Sequence, residues 1–402
     1  MKHPSKNIYR HLFLILLLLA FLGLRIFPIR MSNWDYPLLL VLVAAVYGGI
    51  QTKVAYSRLI ILCTVFILAS CVYSYFHHGQ ALYMVVAHSY KYLSILFFFY
   101  LVKHQISART AERLLISVAV ICCSCYIVQW FVYPTILFQG ADSDSVSEII
   151  YRVRIPGSIS CYCLFFYGVN RFLLGDRIKS IIYILLGFLP ILIMGFRSLL
   201  SVSFVSFFLM LPFTLKFTVR TFLFGLLGSV AVFFIMQTSL VQSKIEEMNR
   251  RNEAGQTFEN EDYVRWRELD YYWYKQFKTP VEHIVGGGVP TDPTSQYAKD
   301  ILGGAYGMSL YWNDLGLVGL SMIIGIPAVL LLVAMYLVCI WRLKEPELQY
   351  LRFTLIVILI GSLFTTAELY RSGNILLFSL FLYIEYKYHQ ERTPKRLYYD
   401  GR

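Results

Sequence analysis

Charge is what this sequence has least of. Lysine, arginine, aspartate and glutamate together make up 15% of its 402 residues, against 57% hydrophobic ones. Soluble domains carry nearer a quarter charged residues, so this scarcity excludes an ordinary water-soluble chain. Acidic residues are scarcer than basic ones, 24 against 36, for a net charge of +12. The basic surplus does not gather on one polar module, which excludes a nucleic-acid binder; it lies in short segments between apolar runs, as membrane topology requires. The long polar stretch 240–306 has no cysteine, so no disulfide framework can be read there. All eight cysteines (Cys63, Cys71, Cys122, Cys123, Cys125, Cys161, Cys163 and Cys339) fall inside or at the ends of apolar stretches. They read as small packing residues rather than metal ligands. There is no internal repeat. No small-residue cleavage site follows the first apolar run, LFLILLLLAFLGL, so the basic start MKHPSKNIYRH and that run read as an uncleaved signal anchor.

What the chain does have is apolar length. A helical crossing takes about 20 apolar residues. By that rule helices are expected near 11–29, 35–50, 59–77, 81–102, 114–134, 156–175, 180–196, 198–215, 221–239, 315–341, 353–371 and 372–387. The expected fold class is an all-α polytopic membrane protein of about twelve transmembrane helices. Segment 180–215 would be about 54 Å long as a single helix, too long for one crossing, so it reads as a hairpin turning at Arg197.

Charge sets the orientation. With the N-terminus inside, the inner segments carry Lys53/Arg58, Lys103/Arg109/Arg113, Arg171/Arg177/Lys179, Lys216/Arg220 and Arg342/Lys344/Arg352, and the tail adds Lys387, Arg392, Lys395 and Arg396. Every inner loop is basic, which places both termini in the cytoplasm. Two outer loops remain, 137–157 and 240–306. The chain thus divides into spans 1–9 over 1–239, an extracytoplasmic loop over 240–306, and spans 10–12 with a cytoplasmic tail over 307–402. Within the long loop, Trp266, Leu269 or Asp270, Trp273 and Phe277 recur at helical spacing, which predicts an amphipathic helix with that stripe as its apolar face. Gly286-Gly287-Gly288 then predicts a turn.

A charge at membrane depth costs several kcal/mol and asks for a reason. Arg197 sits in LPILIMGFRSLLSVSFVSFF with no acidic neighbour in sequence. It reads either as an arginine snorkelling to headgroups or as one facing an anionic headgroup at the outer surface. Arg152 and Arg154 close the first outer loop, and Arg265 and Arg267 lie on the expected loop helix. Guanidiniums over one outer mouth suit a diphosphate, because each offers a planar fork and stays charged at any pH. Lys91, one turn from His88 in the fourth span, and Glu368 in the eleventh are further candidates, either as an ion pair or as ligand contacts.

Four segments carry a family resemblance, in order, over residues 150–325. IMGFRSLLSV is similar to an arginine-bearing hairpin segment, and RVRIPGSIS to an arginine segment opening a later span. YVRWRELDYYWYKQFKTPVEHIVGGGVP is similar to a loop with an arginine, a Trp-bearing helix, a proline and a glycine turn. YWNDLGLVGLSMIIG is similar to an acidic-Leu-Gly opening of the next span. Together they resemble the O-antigen polymerase and O-antigen ligase superfamily. That resemblance implies a glycosyltransferase at the outer face of the bacterial plasma membrane, moving a glycan from undecaprenyl diphosphate to an acceptor hydroxyl. It further implies that Arg197 and Arg265 bind the donor diphosphate and that Arg154 assists. A chain-length regulator and a flippase are the partners it implies, alongside membrane lipid. Fixed arginines stabilise a diphosphate leaving group without a metal, and no paired-aspartate motif asks for one, so neither metal nor cofactor is expected.

The ligase branch carries a histidine shortly before the acidic-Leu-Gly motif, and here Ala305 stands about where it would fall. This departure favours a polymerase acting on O-antigen, capsule or exopolysaccharide repeat units over a ligase. A transporter of lipid-linked sugars is the alternative of another class; the missing internal symmetry counts against it. The acceptor hydroxyl needs a base, for which His283, Glu282 and Asp314 are candidates, with Asp292 and Asp300 behind them.

Overall fold

The structure is a computed structural model. It describes residues 54–138 apart from 134, 157–214 apart from 195–196, 264–364 apart from 306 and 309, and 373–399, with isolated positions 155, 237, 242, 246 and 369. The expected spans near 11–29, 35–50 and 221–239 lie outside the described residues.

Among the described residues the chain is all-helical. The helices are α1 (Ser57–His78), α2 (Leu82–His88), α3 (Tyr90–Lys103), α4 (Ala108–Phe131), α5 (Ile159–Leu173), α6 (Arg177–Met194) and α7 (Arg197–Thr214). Beyond them come α8 (Val264–Leu269), α9 (Pro280–Val285), α10 (Gln296–Lys299), α11 (Gly316–Ile324), α12 (Ile326–Arg342), α13 (Gln349–Phe364) and α14 (Asn374–Tyr399). Helices α1 and α4 and the stretch Pro346–Leu363 are long and apolar enough to cross a membrane, and the α2–α3 pair, bent by 49°, makes a fourth. Helices α6, α7 and α12 are shorter and apolar.

Helix α1 shows which solvent these helices meet. It buries Cys63, Ser70, Cys71 and Ser74 together with Ile60 and Ile67, and turns Leu62, Val65, Leu68, Val72 and Phe76 outward. A water-soluble helix would be arranged the other way round. Small and polar residues inside with large apolar ones outside is the pattern of helices packed in lipid, where close backbone approach replaces the hydrophobic effect as the packing force. The cysteines follow the same logic: all eight are buried and none forms a disulfide.

The core gathers around α5 and the first half of α14. In α5, Ile159–Phe166 are buried without a break, and in α14 Ile375–Ile384 are buried on every face. Helix α6 lies along α5 at backbone contact: a Cβ at Gly187 would stand 2.4 Å from the Phe165 nitrogen, and one at Gly168 2.6 Å from the Ile184 nitrogen. Helices α6 and α7 fold back on each other. The rings of Phe188 and Phe204, sixteen residues apart, have centroids 5.9 Å apart, whereas a continuous helix would separate them by about 24 Å. At the end of α1 remote from the long loop, Glu385 is fully buried and accepts hydrogen bonds from Tyr56 Oη at 2.7 Å and Arg342 Nε at 2.7 Å.

Two expected spans are interrupted. The fourth bends at Ser89, between α2 and α3. The tenth, expected as one helix over 315–341, breaks at Gly325, which has φ 86° and ψ 151°; Pro327 then opens α12. The break is occupied by the glycine turn of the long loop. Gly287 N–H donates to the Met322 carbonyl at 2.7 Å and Gly288 N–H to that of Ile323 at 3.0 Å. Gly286 and Gly325 meet backbone to backbone, since a Cβ on Gly286 would fall 2.4 Å from the Gly325 nitrogen. Past the turn, buried Gln80 fastens the chain to the α1–α2 junction. Its Nε2 donates to Val289 O at 3.2 Å, and its Oε1 accepts from the N–H groups of Thr291 at 2.9 Å and Asp292 at 3.2 Å. Asp292 Oδ2 in return accepts from Ala81 N–H at 2.8 Å.

Two predictions follow from this packing. Gly187→Ala is expected to cost about 1–3 kcal/mol through overpacking against α5, seen as a lower melting temperature in detergent, whereas Leu62→Ala on the outward face of α1 should leave melting nearly unchanged. Hydrogen bonds from Thr294 and from Ala81 N–H hold the Asp292 carboxyl below the usual carboxylate range. Its contribution to loop docking is therefore complete above about pH 4 and is lost as pH falls through the lowered folded value. Pepsin cleavage within 286–296 should rise as pH is lowered from 5 to 2, and Asp292→Ala should be cleaved readily across that range.

Candidate functional site

The loop helix α8 docks by a polar edge. Glu268 and Tyr272, four residues apart on one face, are both fully buried. A Glu268 carboxylate oxygen accepts from Tyr311 N–H at 2.9 Å, and Tyr272 Oη donates to the Leu310 carbonyl at 3.0 Å. The sequence expectation, a helix with the stripe Trp266, Leu269 or Asp270, Trp273 and Phe277 lying over the membrane or over the bundle, did not foresee this polar inward face. The backbone polar groups of 310–311 need partners, and Glu268 and Tyr272 supply them. After Leu269 the chain widens into a π-helix over Asp270–Gln276, which shifts the register and brings Phe277 into the core.

Docked this way, α8 turns Arg265, Trp266 and Leu269 towards an open cleft of about 190 Å³. The opposite wall is the turn before α11, with Asp314 and Leu315, then Val318 of α11 and Leu363 at the end of α13. Its floor and sides are apolar; Arg265 and Asp314 are its two ionisable lining residues. Val318 is 40% exposed, Trp266 48% and Leu363 57%, so the cleft opens along an apolar flank.

Behind the wall lies Glu268, one helical turn after Arg265. Burial pushes its carboxyl up to about 7; the charge of Asp314 adds to the rise, while the Tyr311 N–H and the Arg265 guanidinium oppose it. Its Oε2 has no hydrogen-bond partner among the described residues. The sequence reading missed Glu268. A glutamate three residues after an arginine on a Trp-bearing helix looks like a solvated i, i+3 pair, and only the docking reveals that it is inside.

The other predicted residues fall as follows. Arg197 opens α7, and two residues on Leu199 packs against Gly361, two residues before Leu363 of the cleft. The start of α7 therefore stands at the cleft end of α13. Glu282 closes a capping box on α9, its carboxylate accepting from Thr279 N–H at 2.8 Å. His283 stacks on Trp273 with centroids 4.2 Å apart. Neither Glu282 nor His283 lines the cleft. Arg267 is exposed, outside the cleft lining. Lys91, half-buried on α3, has its Nζ 5.9 Å from the Tyr92 ring centroid. Asp292 serves as the loop clamp, Asp300 accepts from Gln296 Nε2 at 2.6 Å, and Ala305 is fully buried. Arg152, Arg154 and Glu368 lie outside the described residues. Among the described residues no group of three or more His, Cys, Asp or Glu side chains is placed to hold a metal ion.

An apolar trough lined by a cation and, on its opposite wall, a carboxylate can hold an amphiphilic anion. A cation can take the anionic head, the trough hydrocarbon, and a carboxylate can accept a proton. No protein-family model matches the chain, and no curated protein matches it in sequence.

Proposed function

We propose that the chain is a membrane glycosyltransferase that polymerises undecaprenyl-diphosphate-linked oligosaccharide repeat units at the outer face of the bacterial plasma membrane, with both termini cytoplasmic. The observation that carries this reading is the cleft. Arg265, expected from the sequence resemblance to bind a diphosphate, lines it together with Asp314, one of the three candidate bases, over an apolar floor. The start of α7 with Arg197 stands at the same end.

In this reading the guanidiniums of Arg265 and Arg197, assisted by Arg154, hold the diphosphate of the donor. The acceptor hydroxyl oxygen attacks the anomeric carbon of the donor glycan. As that bond forms, the bond from the anomeric carbon to the diphosphate oxygen breaks, and the lipid diphosphate leaves with the electron pair. Asp314 takes the hydroxyl proton. Charge develops on the diphosphate oxygens as the bond breaks, and the guanidiniums stabilise it, Arg265 from the lining of an apolar trough where its charge is less screened than in water. The apolar lining suits the polyprenyl chain, and exposed Trp266 offers a face on which a sugar ring stacks.

The test is the surface-glycan ladder of a deletion strain complemented with wild type, Arg265→Ala, Arg197→Ala or Asp314→Asn. The deletion should stop at one repeat unit, and wild type should restore the ladder. Each variant, at normal membrane levels, should lose at least about a hundredfold in polymer, the usual scale for losing a group that stabilises transition-state charge. Polymer accumulating on the lipid carrier without attachment would instead mark a ligase. An unchanged ladder in the deletion strain would overturn glycosyl transfer and leave a transporter.

A further inference from the structure

Glu268 is a buried charge-bearing group that the proposed chemistry leaves unused. It is fully buried, one carboxylate oxygen is taken by Tyr311 N–H at 2.9 Å, and the other has no partner among the described residues. The groups that act on it electrostatically are Arg265, one turn earlier on its own helix, and Asp314, on the turn packed against that helix. The charged residues of the following π-helix are committed elsewhere, Lys275 Nζ standing 2.6 Å from Asp270 Oδ2. Glu268 is absent from the cleft lining, so it works through the two ionisable residues that are there.

We propose that Glu268 is a positioning residue that couples diphosphate binding at Arg265 to the uptake of a proton. When the carboxyl is neutral, Arg265 directs its charge into the cleft and a diphosphate faces one local carboxylate, Asp314. When the carboxyl is ionised, it draws the guanidinium back towards the wall and adds a second negative charge behind the binding position. Linkage requires the converse: a diphosphate seated on Arg265 raises the affinity of Glu268 for its proton. Burial raises the carboxyl to about 7, so the coupling operates around neutral pH. This inference rests on the reading that the cleft takes a lipid diphosphate.

The experiment uses purified full-length protein in detergent and farnesyl diphosphate as the probe, with affinity measured between pH 5.5 and 8.5. The wild type should bind more weakly as pH rises through about 7, by about tenfold relative to Glu268→Gln, as expected for one added charge in a partly shielded site. The ligand's own ionisation is common to both proteins, so the ratio between them isolates Glu268. Gln keeps the shape and the acceptor for Tyr311 N–H, and the melting temperature checks that Glu268→Gln folds. Asp314→Asn gives a second measure: without that neighbouring charge the midpoint should move to lower pH. Parallel pH profiles for wild type and Glu268→Gln, or an unmoved midpoint in Asp314→Asn, would overturn the coupling while leaving the cleft's ligand intact. Failure of wild type to bind farnesyl diphosphate at any pH would overturn the underlying reading as well.

Discussion

Two backbone hydrogen bonds, from Gly287 and Gly288 to the carbonyls of Met322 and Ile323, join the long loop to the helical bundle. They answer a strict demand. Where α11 gives way to α12, the carbonyls at the break lose their intrahelical donors, and hydrocarbon offers none. The loop's glycines supply them, and they reach because Gly286 and Gly325 carry no side chain to hold the two strands of backbone apart. The loop is thus part of a span's hydrogen bonding rather than an appendage. The position of α8 and the shape of the cleft follow from it, for the same loop is fastened by Gln80 on one side and by Glu268 and Tyr272 on the other.

The rest of the bundle obeys the same solvent. Backbones approach closely where glycine allows, as along α5 and α6, and polar side chains turn inward. Buried carboxylates appear at both ends and are held differently. Glu385 has Arg342 and Tyr56 within hydrogen-bond distance, a matched set that neutralises it and ties α1, α12 and α14 together. Glu268 has one backbone donor and a cation at one remove, which leaves its charge open to adjustment. The contrast is between a carboxylate with side-chain partners and one with a single backbone donor among the described residues.

The all-helical character was legible because apolar length is a coarse signal that survives averaging. The hairpin at 180–215 follows from length alone, and the α6–α7 ring contact shows the same reversal. The breaks were less visible. Gly325 with Pro327 is a readable signal in retrospect, yet an apolar stretch that long reads as one span unless the loop that fills the break is known. The loop helix was legible, but the polar face by which it docks was not. Periodicity favoured the tryptophans, whereas docking was decided by the backbone groups of 310–311 that needed Glu268 and Tyr272, and by a π-turn that no apolar pattern announces. Arg265 and Asp314 stood out in the sequence as candidates by residue type and order, but nothing there told that both line one trough.

The exposed flank made by Val318 and Leu363 has a consequence for how the cleft is supplied. With the loop stapled on both sides, the cleft has a fixed roof, and its apolar side faces the surroundings of the bundle. Under the proposed function, a donor with a hydrocarbon tail would reach it by sliding in sideways within the leaflet. Occupancy would then be set by how crowded that leaflet is with the donor, a surface density, and dilution of the aqueous phase would leave it untouched.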